Sequence, residues 1–218
     1  MSQWVPLSLW GKTARDGSGG YHALLFHLLD AGHVAQEILA IPGARAWRAR
    51  LADVLGLEEE RAPRVAAFLL AIHDLGKCSP AFQRKSTPDW ERVRGAGFPD
   101  APAFPDPHFH HGLEGYHYLK ALLRREGWLC PPEGVRPVLF YQSLALAVGG
   151  HHGRFFRPAE GQRAGYPEIH DDGNPEDAWQ VPWREARADL VRFLAGRFLG
   201  DAASLQARNL SVMCVILN

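Results

Sequence analysis

The chain has 218 residues, and 24 Lys and Arg balance 24 Asp and Glu to a formal net charge of +0. That length accommodates one domain with a real core or at most two small ones, and the charge balance excludes a global pull on polyanions, so nucleic-acid binding would need a local patch or a metal. There is no bilayer-length apolar run, no secretory layout at Met1-Ser2-Gln3-Trp4 and no CxxC spacing among Cys78, Cys130 and Cys214, which together predict a cytoplasmic protein without a disulfide framework or zinc ribbon.

Residues 1–20 read as an extended lead-in closed by the turn Asp16-Gly17-Ser18-Gly19-Gly20. From Tyr21 to about Leu39, apolar residues recur at helical spacing (Leu24, Leu25, Leu28, Leu29, Val34, Ile38) until Pro42-Gly43 stops the run. A second, amphipathic helix is predicted over 44–57 and a third over 63–75, with Gly76 as its stop. Residues 79–110 carry Pro80, Pro88, Pro99, Pro102, Pro105 and Pro107 without a sustained period. They are predicted to form one long loop, a kind of segment usually tied to function.

Further helices are predicted over 111–126, 135–149 and 183–199, separated by a second polar, Gly- and Pro-bearing loop over 153–176. Alternation of period two is scarce, and no repeat or low-complexity tract occurs. Leu210 to Leu217 is strongly apolar and then stops at Asn218, so the chain end reads as a cut through a core element. The expectation is one mostly α-helical domain over residues 1–218 with two long loops.

Histidine is the outlier of the composition, with 11 residues. In Ala71-Ile72-His73-Asp74-Leu75-Gly76-Lys77 an imidazole and a carboxylate interrupt an apolar run that begins at Val65. Burying such a pair is costly unless something binds it, and a divalent metal is the usual answer. On a helix His73 and Asp74 would diverge by about 100°, which suits an Asp spanning two ions while His73 holds one. Lys77 falls on the same face and could steady a phosphate or a leaving group. A capped or paired helix end is the plainer reading of the dipeptide.

Other histidines are positioned to complete a ligand set. His27 lies in the apolar stretch Leu24-Leu25-Phe26-His27-Leu28-Leu29-Asp30, where it is either a ligand or a satisfied core residue, with Asp30 as a candidate orienting partner. His22 and His33 rank lower. His151-His152-Gly153 follows Gly149-Gly150, small residues that leave room for a metal and substrate; the alternative is a helix C-terminus favoured by its dipole. Of His110-His111, His111 is nearer the helix body and is preferred, with His108, His110 and His117 as competitors. Imidazole-rich sites suit Mn, Fe, Co, Ni or Zn, whereas Mg prefers oxygen. Two such ions about 3.5–4 Å apart support in-line phosphoryl displacement. No Ser-His-Asp elbow, phosphate loop or dinucleotide fingerprint competes.

The order His27, His73-Asp74, His111, His151-His152 resembles the HD phosphohydrolase superfamily. Three segments resemble, more narrowly, the HD nuclease domain of the type I CRISPR-associated helicase-nuclease. These are Leu9-Trp10-Gly11-Lys12 with Tyr21-His22 and His27-Leu28-Leu29-Asp30; His73-Asp74-Leu75-Gly76-Lys77 with Ser79-Pro80-Ala81-Phe82-Gln83; and His151-His152-Gly153. The resemblance spans residues 9 to about 153. It implies an all-α HD fold, metal ligation by His27, His73, Asp74, His111, His151 and His152, and assistance from Lys77. It also implies cleavage of single-stranded DNA, a superfamily-2 helicase that feeds the strand, and recruitment by a guide-RNA surveillance complex.

Two departures accompany it. The late Asp-Trp-type segment that donates a further ligand in that family has no counterpart here; Leu210 to Leu217 resembles its apolar lead-in, and Asp201, after Gly200 in an apparent turn, is a poor substitute. Helicase motifs are absent, so the chain reads as an isolated domain or a separately encoded subunit. For substrate handling, Arg154, Phe155, Phe156 and Arg157 alternate charge and ring in a manner suited to unpaired bases, and Arg84 and Lys85 lie just beyond Lys77; a solvated loop with an aromatic anchor is the plainer reading. Two other functions compete: an HD phosphohydrolase acting on nucleotides or cyclic dinucleotides, and a catalytically silent domain that holds metal for stability or docking.

Overall fold

The computed structural model describes residues 7–14, 20–101, 110–153 and 179–200. Among the described residues it is a helical assembly with one small antiparallel pair of strands, β1 (Trp10–Thr13) and β2 (Tyr21–Ala23), and eight α-helices. These are α1 (Leu24–Ala40), α2 (Arg45–Leu55), α3 (Ala62–Ala71), α4 (Pro80–Gln83), α5 (Thr87–Gly95), α6 (His111–Glu126), α7 (Pro137–Gly149) and α8 (Val181–Leu199). The all-α class expected from the sequence is the class observed. Among the described residues, no single helix is long and apolar enough to cross a membrane.

The core lies where α1, α3 and α8 meet, with α6 and α7 packed against each other beside it. Leu24, Leu28, Phe68, Ile72, Leu119, Leu190, Leu194 and Phe198 are fully buried, and each such side chain contributes about 1.5–3 kcal/mol on leaving water. Gly32 makes room for α8: a Cβ there would lie 2.2 Å from the Phe198 ring.

Several boundaries differ from the sequence reading for physical reasons. The first helix begins at Leu24, because Tyr21–Ala23 pairs with β1 in the register Trp10 with Ala23 and Thr13 with Tyr21. Stretches of three and four residues are too short to display a period of two. The third helix ends at Ala71 instead of Leu75. Residues 79–110 are not one loop, since α4 and α5 occupy 80–95.

Helix α4 starts on a Ser79 cap, whose Oγ accepts from the Phe82 N–H at 3.3 Å. Helix α5 buries only Trp90 and Val93 among its apolar side chains, so it shows almost no stripe. It is held from outside, by Trp90 stacking on Trp183 of α8 with 6.4 Å between ring centroids, while Phe98 packs on the same Trp183 at 4.6 Å. Most of the predicted 153–176 loop, the apolar end at Leu210 to Leu217, Asp201, and the substrate candidates Arg154, Phe155, Phe156 and Arg157 lie outside the described residues.

Candidate metal centre

Beyond α3 the chain tightens into successive i→i+3 turns. The Leu75 N–H donates to the Ile72 carbonyl at 3.2 Å, that of Lys77 to Asp74 at 2.9 Å, and that of Cys78 to Leu75 at 2.9 Å. Ile72 (φ −99, ψ 8) and Asp74 (φ −104, ψ 21) both sit in the bridge region, which is common among site residues. His73 and Asp74 are therefore on a turn rather than a helix, and the expected helical divergence does not apply. Their functional atoms meet, with His73 Nε2 3.1 Å from Asp74 Oδ2.

Asp74, only 3% exposed, is the hub. Its Oδ2 lies 2.7 Å from His27 Nε2 and 2.8 Å from Lys77 Nζ. Its Oδ1 lies 3.0 Å from His111 Nε2 and 3.2 Å from His151 Nε2. His152 joins through His111, the two Nε2 atoms being 3.0 Å apart. Two sets of donors result, His27-His73-Asp74 and Asp74-His111-His151-His152, each with its ligand atoms within 4.8 Å of one another. All six residues expected as ligands thus converge, and Lys77 with them.

Each donor is positioned by its own element. His27 projects from the second turn of α1 beneath β1, where Gly11 allows the approach: a Cβ on Gly11 would lie 2.9 Å from His27 Cβ. The turn carrying Asp74 presses on the start of α6, since a Cβ on Gly76 would fall 1.9 Å from the His111 carbonyl oxygen. Helices α6 and α7 cross at Gly112 and Gly149, where a Cβ on the first would lie 2.4 Å from the other's carbonyl oxygen. Gly149 therefore serves the helix crossing that brings His151 to His111, not the open space for substrate that its size suggested.

Other expectations are redistributed. Asp30 does not orient His27; it accepts from His22 at 2.9 Å, in an exposed pair. His110 stacks on the His111 ring with centroids 5.5 Å apart, and His117 lies 3.2 Å from Lys120 Nζ, so of the described competitors His111 is the one beside Asp74. His108 lies outside the described residues. Gln83 and Gly11 shape the site without donating to it, and their only sequence signal is the company they keep in the Trp-Gly-Lys and Phe-Gln segments.

The proton positions argue for a cation. His73 Nδ1–H donates to the Leu70 carbonyl and His151 Nδ1–H to the Val148 carbonyl, each at 2.8 Å. In a neutral imidazole this leaves Nε2 as a bare lone pair. Both lone pairs face the Asp74 carboxylate, itself only an acceptor. Asp74 Oδ1 and His151 Nε2 are buried and make no aligned hydrogen bond among the described residues. Acceptors packed against acceptors repel unless a proton or a metal lies between them, so the donor set fits a divalent ion.

Burial pushes the Asp74 carboxyl up, but His111, His151, His27 and His73 together hold it far below the usual carboxylate range. His27 is drawn up by Asp74, yet burial and Lys77 leave it below its ordinary value. His152 is likewise lowered by burial and by its imidazole neighbours. His151 rises: burial lowers it, and the contacts with Asp74 and Val148 outweigh that.

Comparison with known proteins accords with this geometry. The family model described as "Cas3, HD domain" matches residues 10–215. A CRISPR-associated endonuclease/helicase Cas3 of Thermus thermophilus is 36% identical over 185 residues, which cover 85% of this chain and 18% of that protein. A crystal structure of a CRISPR-associated protein matches at 31% identity and TM-score 0.66, over 87% of this chain and 19% of that one. The Thermus thermophilus Cas3 HD domain crystallised in the presence of Ni2+ matches at 29% identity and TM-score 0.54, over 89% of this chain and 66% of that one. The chain thus spans under a fifth of the length of the curated relative. It belongs to the Cas3 HD domain family.

Proposed function

We propose that this chain is a metal-dependent deoxyribonuclease domain that cuts single-stranded DNA in CRISPR interference, in the cytoplasm. Residues 1–218 form one domain in this reading. The observation that carries it is the meeting of the His73 and His151 lone pairs on a carboxylate that cannot donate to either.

One ion would be held by His27, His73 and Asp74, and a second by Asp74, His111, His151 and His152, with Asp74 shared between them. The predominance of imidazole favours Mn, Ni, Co or Fe over Mg. When bound, such a pair supplies Lewis acidity to the phosphodiester and a nucleophilic water at neutral pH. The protein's own contribution is orientation. The carbonyls of Leu70 and Val148 fix the tautomers of His73 and His151, and Lys77 holds the carboxylate through Oδ2 while adding positive charge where a phosphate would sit. His152, the most exposed member of the set, places the second position at the solvent side, where a strand could enter.

The named relative is an endonuclease and helicase, and this chain spans less than a fifth of it. We accordingly assign the strand-feeding step to a superfamily-2 helicase, fused or separate, and recruitment to a guide-RNA surveillance complex. The deciding experiment offers circular single-stranded DNA with a panel of divalent ions. Cutting with Mn or Ni that is lost in His73→Ala supports the reading. Activity with Mg alone contradicts the ligand argument. Hydrolysis of nucleotides or cyclic dinucleotides with DNA left intact selects the small-substrate phosphohydrolase, and metal-stabilised folding without turnover selects the silent docking domain.

A further inference from the structure

Gln83 is completely buried, and every polar atom of its side chain is engaged. Its Oε1 accepts from the Trp10 backbone N–H at 3.0 Å, while Nε2 donates to the Trp10 carbonyl and to the Lys77 carbonyl, each at 2.9 Å. The indole N–H of Trp10 donates in return to the Gln83 carbonyl at 3.1 Å. One amide thus replaces a strand partner for Trp10 and ties β1 to the turn that bears Asp74, across 73 positions of sequence.

The tie continues to the carboxylate. Gly11, next to Trp10, offers its carbonyl to Lys77 Nζ at 3.0 Å. The same ammonium sits 2.8 Å from Asp74 Oδ2. Gly11 also closes over His27, where no side chain would fit. Gln83, Trp10, Gly11 and Lys77 therefore form a closed ring of contacts whose output falls on Oδ2 and His27. Neither belongs to the α6 and α7 side of the site, which is placed by the glycine crossing instead.

We propose that Gln83 is a positioning residue for one of the two metal sites only, the one formed by His27, His73 and Asp74 Oδ2. The inference rests on the proposed metal-dependent function. If the ring is opened, Lys77 loses the fixed carbonyl that aims it, and Asp74 Oδ2 and His27 lose their registry. The contacts of His111 and His151 with Oδ1 keep their own support.

The experiment is a Mn2+ titration of the purified protein, with bound ion counted directly, in two backgrounds. The double variant His151→Ala/His152→Ala leaves only Asp74 and His111 against the three donors of the His27 side, and His27→Ala leaves the other side as the stronger site. Adding Gln83→Leu is expected to weaken Mn2+ binding about tenfold or more in the first background and to leave it within about twofold in the second. A residue that merely stabilises the fold would lower the melting temperature and shift the two titrations alike. Equal weakening in both backgrounds, or in neither, overturns the proposal. Should Gln83→Leu fail to fold, Gln83→Met keeps an unbranched side chain of similar length, removes the same three amide bonds and is judged by the same contrast. Wild-type protein that binds no Mn2+ would instead overturn the metal-dependent reading itself.

Discussion

The two flanks of Asp74 reach similar geometry by different construction. On the Oδ2 flank, His27 and Lys77 are fixed by hydrogen bonds that join a two-strand hairpin, a tight turn and a buried glutamine. On the Oδ1 flank, His111 and His151 sit at the ends of two helices that meet backbone to backbone at Gly112 and Gly149. Steric fit places one set of imidazoles and polar bonding the other. The first is sensitive to added volume and the second to lost donors.

The largest effect should come where the flanks share an atom set. Asp74→Ala removes a ligand from both positions and is expected to lower Mn2+-dependent cleavage of single-stranded DNA by about three orders of magnitude or more, equivalent to several kcal/mol of barrier. Counting bound ions should show both lost, and retention of either would separate the flanks more sharply than proposed. His27→Ala, and His151→Ala combined with His152→Ala, should each reduce the stoichiometry by one ion, with cleavage falling less than in Asp74→Ala.

Volume probes the helical flank. Gly112→Ala would put a methyl 2.4 Å from the Gly149 carbonyl oxygen, and overpacking of this kind costs about 1–3 kcal/mol. The expected outcome is a lower melting temperature together with weaker binding at the His111-His151-His152 position. An unchanged melt would show that the crossing relaxes freely.

Proton linkage gives a comparable effect on the same helix. Burial, with Lys120 adjacent, lowers His117 to about 4, whereas an unfolded histidine titrates near 6.5. Between those values the unfolded chain binds the extra proton. The contribution is therefore complete above pH about 6.5 and is lost as the pH falls toward 4, amounting to roughly 3 kcal/mol. Urea unfolding from pH 7 to 4.5 should show the decline, and His117→Leu should flatten it. Chelation touches both flanks: stripping the ions should lower the unfolding free energy by the amount that mass action predicts from the measured affinity.

How much of this was legible beforehand varies by residue. His73-Asp74 stood out because charge interrupts an apolar run, and α6 runs from His111 to Glu126 as expected. The convergence of His27 with His111 and His151 was available only through resemblance, since spacing along a chain says nothing about which helices touch. The turn at Asp74 was misread as helix because Val65 to Leu75 is uniformly apolar apart from the site residues and carries no stop before Gly76. Helix α5 was hidden because its anchor, Trp183, lies 93 positions beyond Trp90 in the sequence. The partner of Asp30 was misjudged because one-turn spacing favoured His27, whereas the real partner, His22, sits on the preceding strand.

The hub at Asp74 also has a bearing on biosynthesis. Its contacts come from points as far apart as His27 and His151, so a ribosome-bound chain does not complete the full set until the segment containing His151 has emerged and docked. A fragment that ends before His151 would lack two of the imidazoles on the Oδ1 side.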